Sequence, residues 1–283
     1  IRLAGYKSVI PPLGLMTVAA MLPENYNVRL IDLAVTGLTG KDLAWADIVF
    51  ISAMQIQKKS FEAVVALCNE HHVPVAAGGP YASASFNEIR GVSYFILNEA
   101  ENTLPRFLHD YEQSRPQRLY KDSAKPDITL TPPPRLDLID ISAYSSMALQ
   151  FSRGCPFNCE FCDIIVIYGR KPRTKQPEQF LAELDDMRRA GFHSAFIVDD
   201  NFIGNRKKAK ALLEKIVPWM ERHGYPLRLT TEASIDLAGP MHRGAIDAVT
   251  FEQGSFSVGY APGVRRASTR SRVRGPDERD RPC

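Results

Sequence analysis

The sequence predicts an α/β protein that begins with a doubly wound parallel sheet and continues into part of a (β/α) barrel. The first observation is that continuous apolar segments of strand length alternate with segments of helical spacing over residues 9–110. The second is that this alternation starts again at residue 147, after a segment with three consecutive prolines. We therefore divide the chain into a sheet unit, a Pro-rich linker, a half-barrel and an irregular tail: 1–120, 121–146, 147–238 and 239–283.

The strand ends of the first unit carry small or polar residues. Helices are predicted over 11–23, 60–71 and the second half of 92–111, and strands over 27–35, 46–54, 73–80 and the first half of 92–111. Ligands of such sheets bind beyond the carboxyl ends of the strands. These ends here hold Ser52, Ala53, Met54, Gly78, Gly79 and Glu99. Glycines admit a flat ligand close to the backbone, although a simple tight turn is the alternative. No GxGxxG or Walker segment is present, so a nucleotide is not favoured.

The half-barrel is predicted from three strands that alternate with two helices. The strands cover 147–154, 194–201 and 226–234, and the helices cover 177–191 and 206–224. Pro177 stands near the start of the first helix and Gly191 just past its end, as helix boundaries favour. The polar ends of these strands should face one mouth of the barrel.

The tail shows no clear apolar period after about residue 237. Seven arginines lie within residues 264–283. We interpret residues 239–283 as a disordered basic tail or as the product of a shifted reading frame near residue 239. Nucleic-acid binding by this tail is not favoured, because no aromatic residues are interleaved with the arginines.

Five cysteines are present, and three of them fall within residues 155–162. A disulfide framework is therefore not expected, and a reducing, cytoplasmic location is the better prediction. The net charge of +3 says little about partners. No apolar segment reaches the roughly 18–20 residues of a membrane span. The first residues lack the apolar core of a signal peptide, and the chain does not begin with Met.

The spacing of Cys155, Cys159 and Cys162 indicates a metal centre with three protein ligands. A structural zinc site usually needs four ligands, often as two closely spaced pairs, and no fourth Cys or His lies nearby. Three thiolates that leave one position open fit a 4Fe–4S cluster with one accessible iron. Zinc binding and chance crowding are the weaker alternatives.

This motif, with Phe161 before its last cysteine and at the end of the first barrel strand, resembles that of the radical S-adenosylmethionine (SAM) superfamily. The resemblance implies that SAM binds the open iron and is cleaved to a 5′-deoxyadenosyl radical. It also implies SAM contacts from Phe161, Asp199, Asp200, Asn201, Glu232 and Ser234. Helix capping is the alternative for the Asp-Asp-Asn segment, which replaces the frequent Gly-Gly-Glu, and a surface carboxylate is the alternative for Glu232. Most of Arg170, Lys171, Arg173 and Lys175 are expected to form a solvated basic edge, and contact of one of them with a carboxylate is the alternative.

The first unit resembles the cobalamin-binding domain of cobalamin-dependent radical SAM enzymes. The segments that carry the resemblance are PPLGLMTVAAMLP, NVRLIDLAV, FISAM, AGGP and a strand followed by EAE. Two later segments extend the resemblance to the subgroup that includes hopanoid 2-methylases: SRGCPFNCEFCDIIVIYGRKPRTK and FIVDDNFIGN. The resemblance implies that Ser52, Ala53, Met54, Gly78, Gly79 and Glu99 line the corrin. No Asp-x-His-x-x-Gly segment is present, so no histidine is expected to bind cobalt, and Asn98 stands where the family usually has Gly.

The resemblance implies a methyltransferase that acts on an unactivated carbon with a 4Fe–4S cluster, SAM and cobalamin. Other radical chemistry with cobalamin as a spectator, and a non-catalytic metal-stabilised binding module, remain alternatives. The expected partners are a small-molecule or lipid substrate and an electron donor such as flavodoxin or ferredoxin, and a lipid substrate would place the protein at a membrane periphery. The resemblance assigns no catalytic side chain. We expect truncation at both ends, because a first sheet strand and three barrel strands are lacking.

Overall fold

The computed structural model describes residues 5–160, 162–234, 249–252 and 255–258. Its first sheet is fully parallel, and its four strands follow one another in chain order. They are β1 (Val49–Ser52), β2 (Val75–Gly78), β3 (Tyr94–Ile96) and β4 (Leu119–Tyr120). The register pairs Val49 with Val75 and Ala76 with Tyr94. The predicted α/β class is confirmed.

Helices cover both faces of this sheet. They are α1 (Leu13–Ala20), α2 (Gly40–Trp45), α3 (Lys58–Glu70), α4 (Gly79–Ser85) and α5 (Ala100–Glu112). Strand side chains alternate between faces, so Val75 and Ala77 pack with Phe61, Cys68 and Tyr81 of α3 and α4. Ala76 turns the other way and packs with Leu104, Phe107 and Tyr120. Cys68 of α3 is fully buried in the first of these cores, at 0% exposure.

Two local predictions in this unit are wrong. Residues 27–35 form no strand. Leu30 and Val35 pack against the core of the second unit instead, so their apolar character reflects that contact. The predicted turn at Gly78-Gly79 is the start of α4, with Pro80 in its first turn, where a missing N–H does no harm.

The second unit contains three adjacent parallel strands, as predicted. They are β5 (Met147–Leu149), β8 (Ser194–Ile197) and β9 (Arg228–Thr231), and two helices connect along them, α7 (Pro177–Ala190) and α8 (Arg206–Arg222). Helix α7 ends at Gly191, whose φ of 94° is left-handed. A short antiparallel ribbon, β6 (Ser152–Arg153) with β7 (Arg173–Thr174), encloses the cysteine loop and α6 (Ile164–Ile167).

The predicted linker is extended but carries three short 3₁₀ turns. They are Ile128–Leu130, Leu136–Leu138 and Ile141–Ala143, and a further one, Gln55–Gln57, precedes α3. Asp127 and Asp140 accept hydrogen bonds from backbone N–H groups at two of these turns. Such Asx turns compete with regular structure, which is why the segment forms neither a helix nor a sheet strand.

Two strands lie within residues 239–283, the segment interpreted as an irregular tail. β10 (Val249–Glu252) and β11 (Ser255–Val258) form an antiparallel hairpin, and β11 pairs with β9 at Val258 and Leu229. The signal was present in VTFEQGSFSV, in which apolar and polar residues alternate around Gln-Gly. The remainder of the predicted tail, including residues 259–283, lies outside the described residues.

The first residues of the chain join the second unit rather than the first sheet alone. Met16 of α1 is fully buried in the cluster that includes Met147 and Leu149. The hydroxyl of Tyr144 donates to Asp32 at 3.0 Å. Because Met16 and Asp32 contact the second unit, the predicted boundary at residue 120 does not separate the cores of the two units.

Among the residues the structure describes, no helix has both the length and the apolarity needed to cross a membrane.

Candidate functional site

The cysteine loop leaves the carboxyl end of the half-barrel between β6 and β7. Cys155, Cys159 and Cys162 are all partly buried. Gly154 begins the loop with a left-handed φ of 97°, and a Cβ there would lie 2.9 Å from the carbonyl oxygen of Gly169. The amide of Cys155 donates to that same carbonyl at 3.2 Å. The two ends of the loop are thus in direct contact, and only glycine fits at the first of them.

The donor set fits a three-thiolate cluster in its chemistry. All three cysteines lie on one loop, and Cys68 is buried in another core. Among the described residues, however, no three His, Cys, Asp or Glu side chains are close enough together to hold a metal ion. All three thiols are nevertheless supplied by one loop, between β6 and β7. Phe161, predicted to contact SAM, lies outside the described residues.

Asp199, just beyond β8, is turned toward the end of β5. It is 4% exposed, and it accepts from the Phe151 amide at 2.7 Å and the Ser152 hydroxyl at 2.6 Å. Burial raises the pKa of Asp199 to about 6, although these hydrogen bonds act in the opposite direction. Both of its oxygens are thus engaged by the chain that leads into the cysteine loop, and the SAM contact of Asp199 stays a prediction.

Asp200 and Asn201 link the same strand end to two other segments. Asp200 accepts from the amide of Gly154 at 2.7 Å, and burial raises its pKa. Asn201 is buried, and its side chain exchanges two hydrogen bonds with Ser234, both at 3.3 Å. The helix-capping alternative is not what the geometry shows, because Asn205 caps α8 through the amide of Lys208. The structure therefore brings together the predicted Asn201 and Ser234, and it directs Asp200 to the start of the cysteine loop.

Glu232 lies at the end of β9 with an exposed side chain. Its backbone carbonyl accepts from the amide of Phe202 at 3.2 Å. The neighbouring Thr231 is fully buried and donates to the carbonyl of Ile197 at 2.9 Å. This exposure agrees with the surface-carboxylate alternative, and the SAM contact of Glu232 stays a prediction.

The predicted corrin-lining residues Ser52, Gly78 and Gly79 meet at the carboxyl ends of β1 and β2. Gly79 has a left-handed φ of 79°, and a Cβ there would lie 2.1 Å from the Ser52 hydroxyl oxygen. The contact between Gly79 and Ser52 is thus enough to require glycine at this position, whether or not a ligand binds there. Ala53 is buried, and its backbone carbonyl accepts a hydrogen bond from the amide of Tyr81 in α4. Met54, in contrast, is 56% exposed.

Glu99, predicted to line the corrin, is buried against the second unit, and its corrin contact stays a prediction. It is 5% exposed, and its carboxylate forms ion pairs with Arg153 and Arg173 of the second unit, at 3.0 and 2.9 Å. Lys175 is likewise buried and pairs with Glu183. Arg173 and Lys175 are therefore not part of a solvated edge. Sequence analysis missed Arg153 because nothing in the local pattern places it opposite Glu99.

Comparison with known proteins identifies both units. Residues 1–108 match the family model of the B12 binding domain, and residues 149–247 match that of the Radical SAM superfamily. The chain joins a B12 binding domain to a radical SAM domain. These domains imply cobalamin, a 4Fe–4S cluster and SAM as cofactors, as the resemblance predicted.

The curated relatives of this B12-binding radical SAM chain include methyltransferases. An uncharacterized methyltransferase of Synechocystis is 47% identical over 84% of this chain and 45% of its own length. The hopanoid C-2 methylase of Rhodopseudomonas palustris is 39% identical over 81% of this chain and 44% of its own length. The predicted resemblance to the hopanoid methylase subgroup is confirmed. The chain spans less than half the length of these relatives.

Solved structures share the fold at lower identity. TsrM of Kitasatospora setae, a radical SAM methyltransferase, superimposes with a TM-score of 0.60 at 16% identity, over 79% of this chain and 54% of that one. OxsB, a cobalamin-dependent SAM radical enzyme, superimposes with a TM-score of 0.63 at 21% identity, over 80% and 38%. The predicted order of units, a cobalamin-binding-like sheet followed by a radical SAM half-barrel, is therefore confirmed as the fold.

Proposed function

We propose that the protein is a cobalamin-dependent radical SAM methyltransferase that acts on an unactivated carbon. The observation that carries this proposal is the presence of a B12 binding domain and a radical SAM domain in one chain, with three cysteines on the loop at the barrel mouth. The names of the two curated relatives supply the methyltransferase assignment. When bound, the cluster and SAM supply radical generation and cobalamin supplies a methyl carrier.

The protein's own residues divide into ligands and positioning groups. Cys155, Cys159 and Cys162 would hold the cluster. Asp199 and Asp200 hold the backbone on which that loop begins, through Phe151, Ser152 and Gly154. We assign SAM contacts to the unshared oxygen of Asp200 and to Phe161, Asn201, Glu232 and Ser234, and corrin contacts to Ser52, Ala53, Met54, Gly78 and Gly79.

The substrate is proposed by class. A polycyclic lipid is supported by the relative that is named a hopanoid C-2 methylase. Reduction of the cluster needs an electron donor, for which a flavodoxin or ferredoxin has the suitable chemistry. We place the protein in the cytoplasm, at the membrane periphery when the substrate is a lipid.

Anaerobic reconstitution with iron, sulfide and cobalamin tests the proposal. We expect iron and sulfide in the cluster ratio, bound corrin, and reductant-dependent formation of 5′-deoxyadenosine from SAM. Transfer of an isotopically labelled methyl group to a polycyclic lipid would establish the reaction. Purified protein that contains zinc and no corrin would contradict it, and corrin with 5′-deoxyadenosine but no methyl transfer to any substrate would favour other radical chemistry.

The cysteine ligands are tested by matched alanine variants. Each of three variants should abolish loading of the cluster: Cys155→Ala, Cys159→Ala and Cys162→Ala. A 4Fe–4S cluster with one open iron needs a thiolate on each of its other three irons, so none of the three can be spared. Cys68→Ala is the control and should load normally, since Cys68 lies in the core of the first unit. Iron and sulfide are measured by chemical analysis and by absorbance. Retention of the cluster in Cys159→Ala would exclude the assignment.

A further inference from the structure

Two arginines stand opposite each other in the ribbon from which the cysteine loop emerges. Arg153 in β6 and Arg173 in β7 are register partners in an antiparallel pair. Their side chains therefore leave the same face, where like charges directly opposite repel each other. The ribbon has only two residues in each strand, which is too short to be stable alone. The base of the cysteine loop thus needs a further interaction to stay closed.

The carboxylate of Glu99 supplies that interaction from the first unit. Each of its oxygens accepts a hydrogen bond from Arg173 at 2.9 Å, and one oxygen also accepts from Arg153 at 3.0 Å. The side chain of Glu99 is 3% exposed, so water screens these contacts little. A two-pronged arginine–carboxylate pair is among the strongest polar contacts in proteins. One buried carboxylate therefore contacts both of the positive charges that the ribbon register holds together.

The surrounding contacts fasten both ends of the loop to the same cluster. Arg153 also pairs with Glu101 at 2.9 Å. Burial acts to raise the pKa of Glu101, but the Arg153 guanidinium and the hydrogen bond from the Thr131 hydroxyl together lower it. Arg173 donates to the carbonyl of Tyr168 in the loop at 3.2 Å, and Lys125 donates to that of Ile167. The Nε of Arg173 is buried with no hydrogen-bond partner in the described part of the chain. Without Glu99, the buried guanidinium of Arg173 would lose the carboxylate with which it pairs, and Arg153 would keep its pair with Glu101.

We propose that Glu99 is a positioning residue that clamps the base of the cysteine loop, residues 154–172, so that the B12 binding domain holds the cluster ligands of the radical SAM domain in place. The inference rests on the proposed function in that this loop is taken to carry the cluster. It replaces the corrin contact that the position of Glu99 predicts. It also gives a structural route by which the two cofactor sites depend on each other.

Hydrogen exchange and iron content of the reconstituted chain test the clamp. In Glu99→Gln, amide exchange within 154–172 should accelerate about tenfold or more, and iron per chain should fall, because an uncharged amide cannot compensate two guanidinium groups. Exchange in α7 and α8 should be unchanged, which shows that the variant is folded. Glu112→Gln, an exposed carboxylate at the end of α5, is the control and should behave like the parent.

The outcomes separate the clamp from the corrin contact and from the proposed function. Unchanged exchange in 154–172 together with weaker cobalamin binding would overturn the clamp and make Glu99 a corrin residue. Faster exchange in Glu99→Gln than in the parent would uphold the clamp. If the parent itself takes up no corrin, the proposed function is rejected while the clamp still stands. If Glu99→Gln does not fold, Arg173→Lys keeps the charge but loses the two-pronged geometry. Faster exchange in the loop of Arg173→Lys then supports the clamp, and unchanged exchange overturns it.

Discussion

Asp199 shows at the scale of one residue how a buried carboxylate can organise a strand end. Its two oxygens accept from Phe151 and Ser152, and burial raises its pKa to about 6 from 3.8. Between these two values the folded state binds more protons than the unfolded state. The free energy of unfolding that this group contributes therefore falls as the pH rises through that window.

Asp199→Asn should remove this dependence while keeping both contacts, since its amide can accept from the Phe151 N–H and donate to the Ser152 hydroxyl. We expect the free energy of unfolding, measured by urea denaturation over pH about 4 to 7, to fall less steeply than in the parent. Exposed Asp47 provides the control, and Asp47→Asn should keep the parental slope. A parental slope in Asp199→Asn would show that this carboxyl is not the titrating group.

At the scale of elements, the junction of β2 and α4 depends on a glycine whose backbone no other residue adopts easily. Gly79→Ala would place a Cβ 2.1 Å from the Ser52 hydroxyl oxygen at a φ of 79°. We expect it to destabilise the chain by about 1–3 kcal/mol in urea denaturation. Valine at this position would meet the same Ser52 oxygen, so loss of corrin binding in such a variant would follow from a disturbed fold as well as from a blocked site.

Two further variants separate the causes of that loss. Ser52→Ala combined with Gly79→Ala should recover only part of the stability, because it removes the collision but not the left-handed backbone. Gly14→Ala in α1 has no neighbouring atom within 4 Å and should instead stabilise by about 0.5–1 kcal/mol. Equal stability of Gly79→Ala and the parent would show that the junction tolerates a side chain.

At the scale of the whole molecule, the beginning of the chain ties the two units together. Met16 is fully buried among residues of the second unit, including Met147 and Leu149. Met16→Ala should cost about 2–5 kcal/mol and reduce the exchange protection of β5 and β8, although Met16 precedes the first sheet in the sequence. Val9→Ala, at a 57% exposed position nearby, should change neither. Loss of exchange protection in β1 and β2 alone would show that Met16 packs against the first unit, which would contradict this prediction.

Spacing and periodicity alone were sufficient for the local features. The positions of Cys155, Cys159 and Cys162 along one loop, and the bounds of α7 between Pro177 and Gly191, follow from residues that are neighbours in sequence. Alternating apolar strands and helices likewise predicted parallel strands in both units, because a strand buried on two faces must be apolar throughout. Such features depend on short-range backbone preferences, which the chain carries wherever it folds.

Only the tertiary structure decided which polar groups meet. Residues 27–35 read as a strand, yet Leu30 and Val35 are apolar because they cover the core of the other unit. Glu99 stands at a strand end where the fold suggests a ligand contact, but its carboxylate is neutralised by Arg153 and Arg173. A charge is tolerated in the interior only beside its partner. That partner is more than fifty residues away in sequence for both arginines, so no local pattern could have identified it.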